Sequence, residues 1–214
     1  MPAAGVVSQT RIDNLPPTSG SNVRLLLGTL FALAVATVVG LGATYLALTR
    51  GAAFGALSIG SWVTWPKTGT IDADPYARAS IARTGQLPIA QGDGVSFTVQ
   101  TDDNGKILDG RCDVVLSGIT PTARFWTLTL YNANGELVAN SVNRYGFTSQ
   151  EIVRNADGSF EIAVAPRANP GNWLPTGGVE RYALVLRLYD TAVGVSTKAG
   201  REVPMPTVKN RSCP

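Results

Sequence analysis

The 214-residue chain contains no histidine. Without an imidazole, Ser-His-Asp and Cys-His relays have no base to activate the nucleophile. Zinc sites, which draw on His or on several Cys, lose their commonest ligand. Cysteine occurs only at Cys112 and Cys213, too few and too far apart for a thiolate cluster, so neither a metal nor another cofactor is expected. No Gly-x-x-x-x-Gly-Lys-Ser/Thr phosphate loop is present, and no internal repeat. Charge is sparse at 15%. Beyond residue 50 there are fifteen Lys plus Arg against fourteen Asp plus Glu, a net +1. The pI near 9.0 therefore reflects small numbers and not a basic stripe, and nucleic acid is not an expected partner.

Charge is wholly missing from the twenty-five residues between Arg24 and Arg50, which are rich in Leu, Val, Ala and Gly. At about 1.5 Å per helical residue this run exceeds a hydrocarbon layer of ~30 Å. It is longer than the apolar part of a cleaved secretory signal and follows a polar tail, which predicts a retained signal anchor. The expected organisation is a disordered tail over 1–23, containing Pro16-Pro17-Thr18-Ser19-Gly20, a transmembrane helix over 24–49, an interfacial linker over 50–71 and a folded domain over 72–214. Arg11 and Arg24 precede the span, and after Arg50 no cation follows until Lys67. The positive-inside rule then places the N-terminus in the cytoplasm and the domain on the outer side of the membrane. Gly28, Ala32, Ala36 and Gly40 recur every four residues, either a helix-association face or ordinary membrane filler. Phe54, Trp62 and Trp65 in the linker suit the headgroup level, or else belong to the domain core.

The domain reads as mainly β, an antiparallel β-sandwich or jelly-roll-like body with one short helix. Asp74-Pro75 supplies an N-cap acid and a first-turn proline for a helix running to Thr84, with Gly85 as the residue beyond its end. Thereafter Asn104-Gly105, Asn134-Gly135 and Asp157-Gly158 mark hairpins. Read as two-residue turns they set Phe97 opposite Cys112, Tyr131 opposite Val138, and Arg154 opposite Glu161. The run 182–189 is mostly apolar on both faces, as a central strand should be. In 124–131, Trp126, Leu128 and Leu130 share one face. The two cysteines are either unrelated thiols or, in an oxidising compartment, a disulfide pinning the C-terminal tail. A loop of about 100 residues closed in this way gains roughly 4–5 kcal/mol in the chain-entropy picture.

The segments Asp74-Pro75-Tyr76-Ala77-Arg78-Ala79, Ala82-Arg83-Thr84-Gly85, Ala123-Arg124-Phe125-Trp126-Thr127-Leu128, Asn132-Ala133-Asn134-Gly135 and Gly171-Asn172-Trp173-Leu174-Pro175 together resemble a bacterial family of unknown function, DUF1214, over roughly residues 72–206. The resemblance implies a β-sandwich envelope domain that often stands beside a second domain in larger proteins. It implies a partner as well: a separate envelope protein supplying that sister domain. It carries no catalytic residues to transfer.

Two arrangements invite a chemical reading. Asp102-Asp103-Asn104-Gly105 mimics a calcium loop, but its Gly comes too early and no closing Glu follows. Glu151 and Glu161 are the formal candidates for paired-acid hydrolysis. The polar group with the best claim to bind a ligand or partner is Arg144 and Tyr145 with Asn172 and Trp173. Arg can grip a carboxylate or phosphate, and Trp offers an apolar plate. The competing reading makes 170–175 a rigid turn whose Trp fills the core and whose Asn serves the backbone, with Arg144 at a strand end in water. The expected function is a membrane-anchored binding or assembly module. An envelope enzyme using carboxylates and a structural subunit of a membrane complex are the alternatives.

Overall fold

Residues that alternate between buried and more exposed positions along most strands build two sheets that share one core. The computed structural model describes residues 19–49, 56–84, 87–90, 92–194 and 203–213. Most of the expected disordered tail, together with Phe54 and Gly85, lies outside the described residues. The chain divides into two units, 1–49 and 50–214.

The first unit is helix α1, Ser19–Thr49. Its stretch Asn22–Leu46 is long and apolar enough to cross a membrane by length and composition. Every described side chain in it is exposed. Thr29 and Thr37 donate their hydroxyls back to the carbonyls of Leu26 and Leu33 at 2.9 and 2.8 Å. These two threonines therefore satisfy their hydroxyls within the helix itself.

The second unit begins with a hairpin, β1 (Leu57–Ile59) and β2 (Trp62–Thr64), inside the stretch read as an interfacial linker. Trp62 is 1% exposed, and its indole N–H donates to the Pro206 carbonyl at 2.7 Å. Of the two readings of this tryptophan, the core one holds. Helix α2, Pro75–Thr84, follows. Asp74 Oδ1 accepts from the Ala77 N–H at 3.0 Å, the expected N-cap.

The remaining strands are β3 (Gly94–Val99), β4 (Asp113–Gly118), β5 (Phe125–Asn132), β6 (Gly146–Thr148), β7 (Phe160–Ala165), β8 (Asn172–Pro175), β9 (Tyr182–Tyr189) and β10 (Thr207–Ser212). One sheet runs β1-β2-β3-β9-β5-β6 and the other β10-β4-β7-β8. The first is antiparallel throughout. The second is mixed, because β8 pairs parallel to β7. Strand β9 lies between β3 and β5, a central position as its two apolar faces predict. Phe97, Trp126, Leu128, Leu184 and Leu186 from the larger sheet meet Leu116, Phe160, Ile162, Val164 and Leu174 from the smaller one, all nearly fully buried.

The three turn motifs are present, with registers different from the two-residue reading. Each turn is one residue longer. Gly105, Gly135 and Gly158 sit at φ near +81°, each the last residue of a four-residue turn. The closing bonds run from Asp102 N to Lys106 O, Asn132 N to Glu136 O, and Asn155 N to Ser159 O. Isolated bridges therefore join Thr101 to Ile107, Tyr131 to Leu137 and Arg154 to Phe160. This is a type I turn followed by a left-handed glycine, the three-residue hairpin geometry. The first Asx residue selects it in two cases. Asp102 Oδ1 accepts from Asn104 N and Lys106 N at 2.9 and 2.8 Å, and Asn132 Oδ1 from Asn134 N and Glu136 N at 2.9 Å each. Phe97 consequently does not face Cys112: β3 and β4 leave the turn into different sheets, and Phe97 pairs with Leu186. Tyr131 meets Leu137, not Val138. Arg154 is not opposite Glu161; its guanidinium lies 5.7 Å over each of the Trp126 and Phe160 rings. Glu161 pairs instead with Arg211 at 2.7 Å.

Cys112 and Cys213 are bonded. The disulfide ties the end of β10 to the residue before β4.

Candidate functional site

The four residues singled out on sequence grounds fall around one end of β8, where they take different roles. Gly171, at φ 78°, turns the chain so that Asn172 points inward. Asn172 Oδ1 accepts from Val153 N at 2.9 Å, while Nδ2 donates to Val153 O at 2.8 Å and Glu161 O at 2.9 Å. This buried amide clips the 152–154 loop to β7, so it serves the backbone and is not available to a ligand. Trp173, next along, points outward and is half-buried; Leu174 takes the core position. The indole N–H of Trp173 donates to Ala165 O at 3.0 Å.

Arg144 and Trp173 are brought together. Arg144 Nη1 donates to the Trp173 carbonyl at 2.9 Å, and its guanidinium carbon stands 5.4 Å from the Phe147 ring centre. Strand β8 ends one sheet and β6 ends the other, so Arg144 links the two sheets at one side and covers an acceptor on an edge strand. The arm carrying it is held by Asn140. Oδ1 of Asn140 accepts from Arg144 N at 3.0 Å, and Nδ2 donates to Arg144 O at 2.8 Å. Tyr145 is half-buried, and its carbonyl accepts from Leu130 N at 3.0 Å. What remains for an outside molecule is the exposed part of the Arg144 guanidinium, the outer face of the Trp173 ring and Tyr145. Asn140 and Phe147, which orient Arg144, escaped the sequence reading. The only signal was an Asn at each end of 140–143, where a side-chain-closed turn brings distant backbone groups together.

Several other charged groups are engaged. Glu151 Oε2 accepts from Thr148 N at 3.3 Å, and Glu161 holds Arg211. Asp102 closes its turn, and Asp103 joins two elements: it accepts from the Ser61 hydroxyl and, through Oδ2, from Val208 N at 3.0 Å. Asp109 grips Arg111 through both carboxylate oxygens, closest at 2.7 Å, and hydrogen bonding to Arg111 holds its pKa down to about 2. Beside this pair an open recess of about 440 Å³ is lined by Arg111, Asp113, Arg167 and Cys213, among others. Burial pushes the Tyr182 phenol above its ordinary range, and its hydroxyl makes no hydrogen bond among the described residues. Among the described residues no three His, Cys, Asp or Glu side chains gather to hold a metal.

A family model described as a protein of unknown function, DUF1214, matches residues 93–193. No curated protein matches the chain. Among solved structures, the crystal structure of the VPA0106 protein from Vibrio parahaemolyticus is similar at 20% identity and a TM-score of 0.56, over 84% of this chain and 44% of that one. A putative uncharacterized protein from Burkholderia cenocepacia is similar at 14% identity and a TM-score of 0.43, over 80% of this chain and 41% of the other. The Vibrio likeness shows the fold. The chain spans less than half the length of either structure.

Proposed function

Taking residues 93–193 as the DUF1214 domain they form, we propose that the protein is a membrane-anchored envelope module whose sandwich works by binding another protein. In this reading α1 is a retained signal anchor with its N-terminus in the cytoplasm, and the sandwich stands in the periplasm of a bacterial cell. The observation that carries it is the pairing of a charge-free apolar run over 25–49 with a disulfide-closed domain in one chain. Such a bond persists in oxidising compartments. A protein partner is supported by the Vibrio likeness, in which the matched fold makes up only 44% of the chain and thus keeps company with further sequence. Exposed Arg144, with Tyr145 and Trp173, provides one contact for that partner at the β6–β8 side. The small-residue face of Gly28, Ala32, Ala36 and Gly40 offers another along the helix.

The test is to express the full chain, extract membranes with alkaline carbonate, and run detergent-solubilised material on a native gel with and without in-cell crosslinking. The expected result is retention in the carbonate pellet and a discrete heteromeric band. Recovery of the full chain from the aqueous fraction removes the anchor. A crosslinking pattern of lipid and self adducts alone removes the partner.

A further inference from the structure

The two outer faces of the sandwich differ in charge, and the difference marks one of them. On the smaller sheet the outward positions include Asp113, Glu161, Lys209 and Arg211. On the larger sheet, of all outward positions on β2, β3, β5, β6 and β9, Arg187 alone is charged; the rest are Thr, Ser, Val, Ala, Gly and aromatic residues. Phe125 and Tyr189 pair across two strands with ring centres 5.9 Å apart. Arg187 lies along the face, its guanidinium carbon 5.4 Å from the Tyr131 ring centre, and makes no ion pair among the described residues. Strands β2, β3, β5, β6 and β9 hold 28 residues in all; at about 3.4 Å per residue and about 4.8 Å between strands they cover roughly 450 Å², rather more than half of the ~800 Å² that each partner contributes to a standard stable interface.

We infer that the outer face of the larger sheet is the docking surface for a second, different protein, whose own contact face is apolar and carries one carboxylate opposite Arg187. This deepens the partner reading above and rests on it. The chemistry selects among occupants. A second copy packed face to face would bring two unpaired Arg187 guanidiniums into one desolvated contact, a like-charge penalty. An anionic bilayer surface is recognised by clusters of cations, and this face has one. A polysaccharide needs convergent carboxylates or amides for its hydroxyls, and the face has neither. A protein carboxylate meets Arg187 bidentately in a water-excluded site, where such a pair fixes register and partner choice. Threonines and flat aromatic rings around it suit the centre of a protein interface.

The experiment places a photo-crosslinking amino acid at Thr98 or Thr127 on this face, at Ser117 or Lys209 on the opposite one, and at Tyr145 on the Trp173 side, in full-length protein in cells. We expect adducts from Thr98 and Thr127 to one protein other than this chain, and none from the smaller sheet. Arg187→Glu should lower the adduct yield at least tenfold. Arg187→Met, which keeps the apolar stem and guards against loss of fold, should lower it less, and an Asp or Glu to Arg change in the captured protein should restore capture by Arg187→Glu. Protein adducts from Ser117, Lys209 or the Trp173 side alone overturn this inference and leave the partner reading standing. Lipid, glycan or self adducts at Thr98 and Thr127 overturn it too, and an absence of protein adducts from every position removes both.

Discussion

The larger and smaller sheets are held together by different means. In the larger one, β5 and β9 pair over eight residues without a register shift, and β3 adds six more. Backbone ladders and an inward row of leucines do nearly everything there. The smaller sheet is fastened by side chains. Asn172 clips a loop to β7, Asp103 accepts from Val208 N, Arg211 reaches Glu161, and a disulfide closes the end of β10, whose ladder to β4 carries a bulge. A long regular ladder tolerates loss of any one polar contact because its neighbours keep it aligned. The smaller sheet, with one parallel pairing and one bulge, depends more on individual groups, above all Asn172, whose amide satisfies three backbone atoms.

Four perturbations can break this contrast. The largest effects should come from Leu186→Ala in the larger sheet and Asn172→Ala in the smaller. Leu186 is 1% exposed, and its truncation should cost about 2–5 kcal/mol through lost burial and a cavity. Asn172→Ala leaves Val153 N–H, Val153 C=O and Glu161 C=O without those partners, at about 2–4 kcal/mol in total. Urea unfolding of the full chain in non-ionic detergent, followed by tryptophan fluorescence, measures both. A loss under about 0.5 kcal/mol for Asn172→Ala would remove the claim that one amide holds the smaller sheet.

Reducing the disulfide should come next. Cys112 and Cys213 are 101 residues apart, yet β10 is also held by buried Val208 and by Asp103. The expected loss is about 2–4 kcal/mol, below the full entropic figure, with the lowered midpoint reproduced by Cys112→Ala/Cys213→Ser. Hydrogen exchange should rise at 209–213 and stay slow at Leu184 and Leu186. Equal acceleration in both sheets would show that the disulfide supports the whole domain and not one edge.

The smallest effect is one of pH. Asp109 is held from its ordinary 3.8 down to about 2 by Arg111. A depressed carboxylate stabilises the fold above its unfolded pKa, and that contribution fades as pH falls from about 4 to about 2. Asp109→Asn should lower neutral-pH stability only slightly, since the pair is exposed, and flatten the acid limb of the stability curve in this window by the same small amount. An acid limb identical in the variant would show the pair to be inert.

Much of the architecture was legible because it is local. The charge-free run predicts α1, Asp74-Pro75 predicts the start of α2, and the period-two pattern over 182–189 predicts a central strand with Leu184, Leu186 and Leu188 inside. The hairpin glycines were legible as turns, while their length was not taken from the Asx residue three places earlier. Because side chains alternate with a period of two, one residue of turn length changes every cross-strand partner. That slip is why Arg154 stacks on Trp126 and Phe160 while Glu161 finds Arg211. At the candidate site, sequence proximity brought out Asn172 and Trp173 as a pair. In β8 adjacent residues face opposite sides, so one became a buried clip and the other a surface ring.

By itself the sequence determined the apolar helix, the hairpin-rich class of the domain and the absence of any imidazole chemistry, since these follow from composition, periodicity and turn residues acting over a few neighbours. Only the tertiary structure decided that β3 and β4 part into different sheets, that Trp62 belongs to the core, that Cys112 meets Cys213, and that one face of the sandwich carries a lone Arg187. Those outcomes depend on which distant segments pack side by side, and burial rewards that choice only once the whole core has closed.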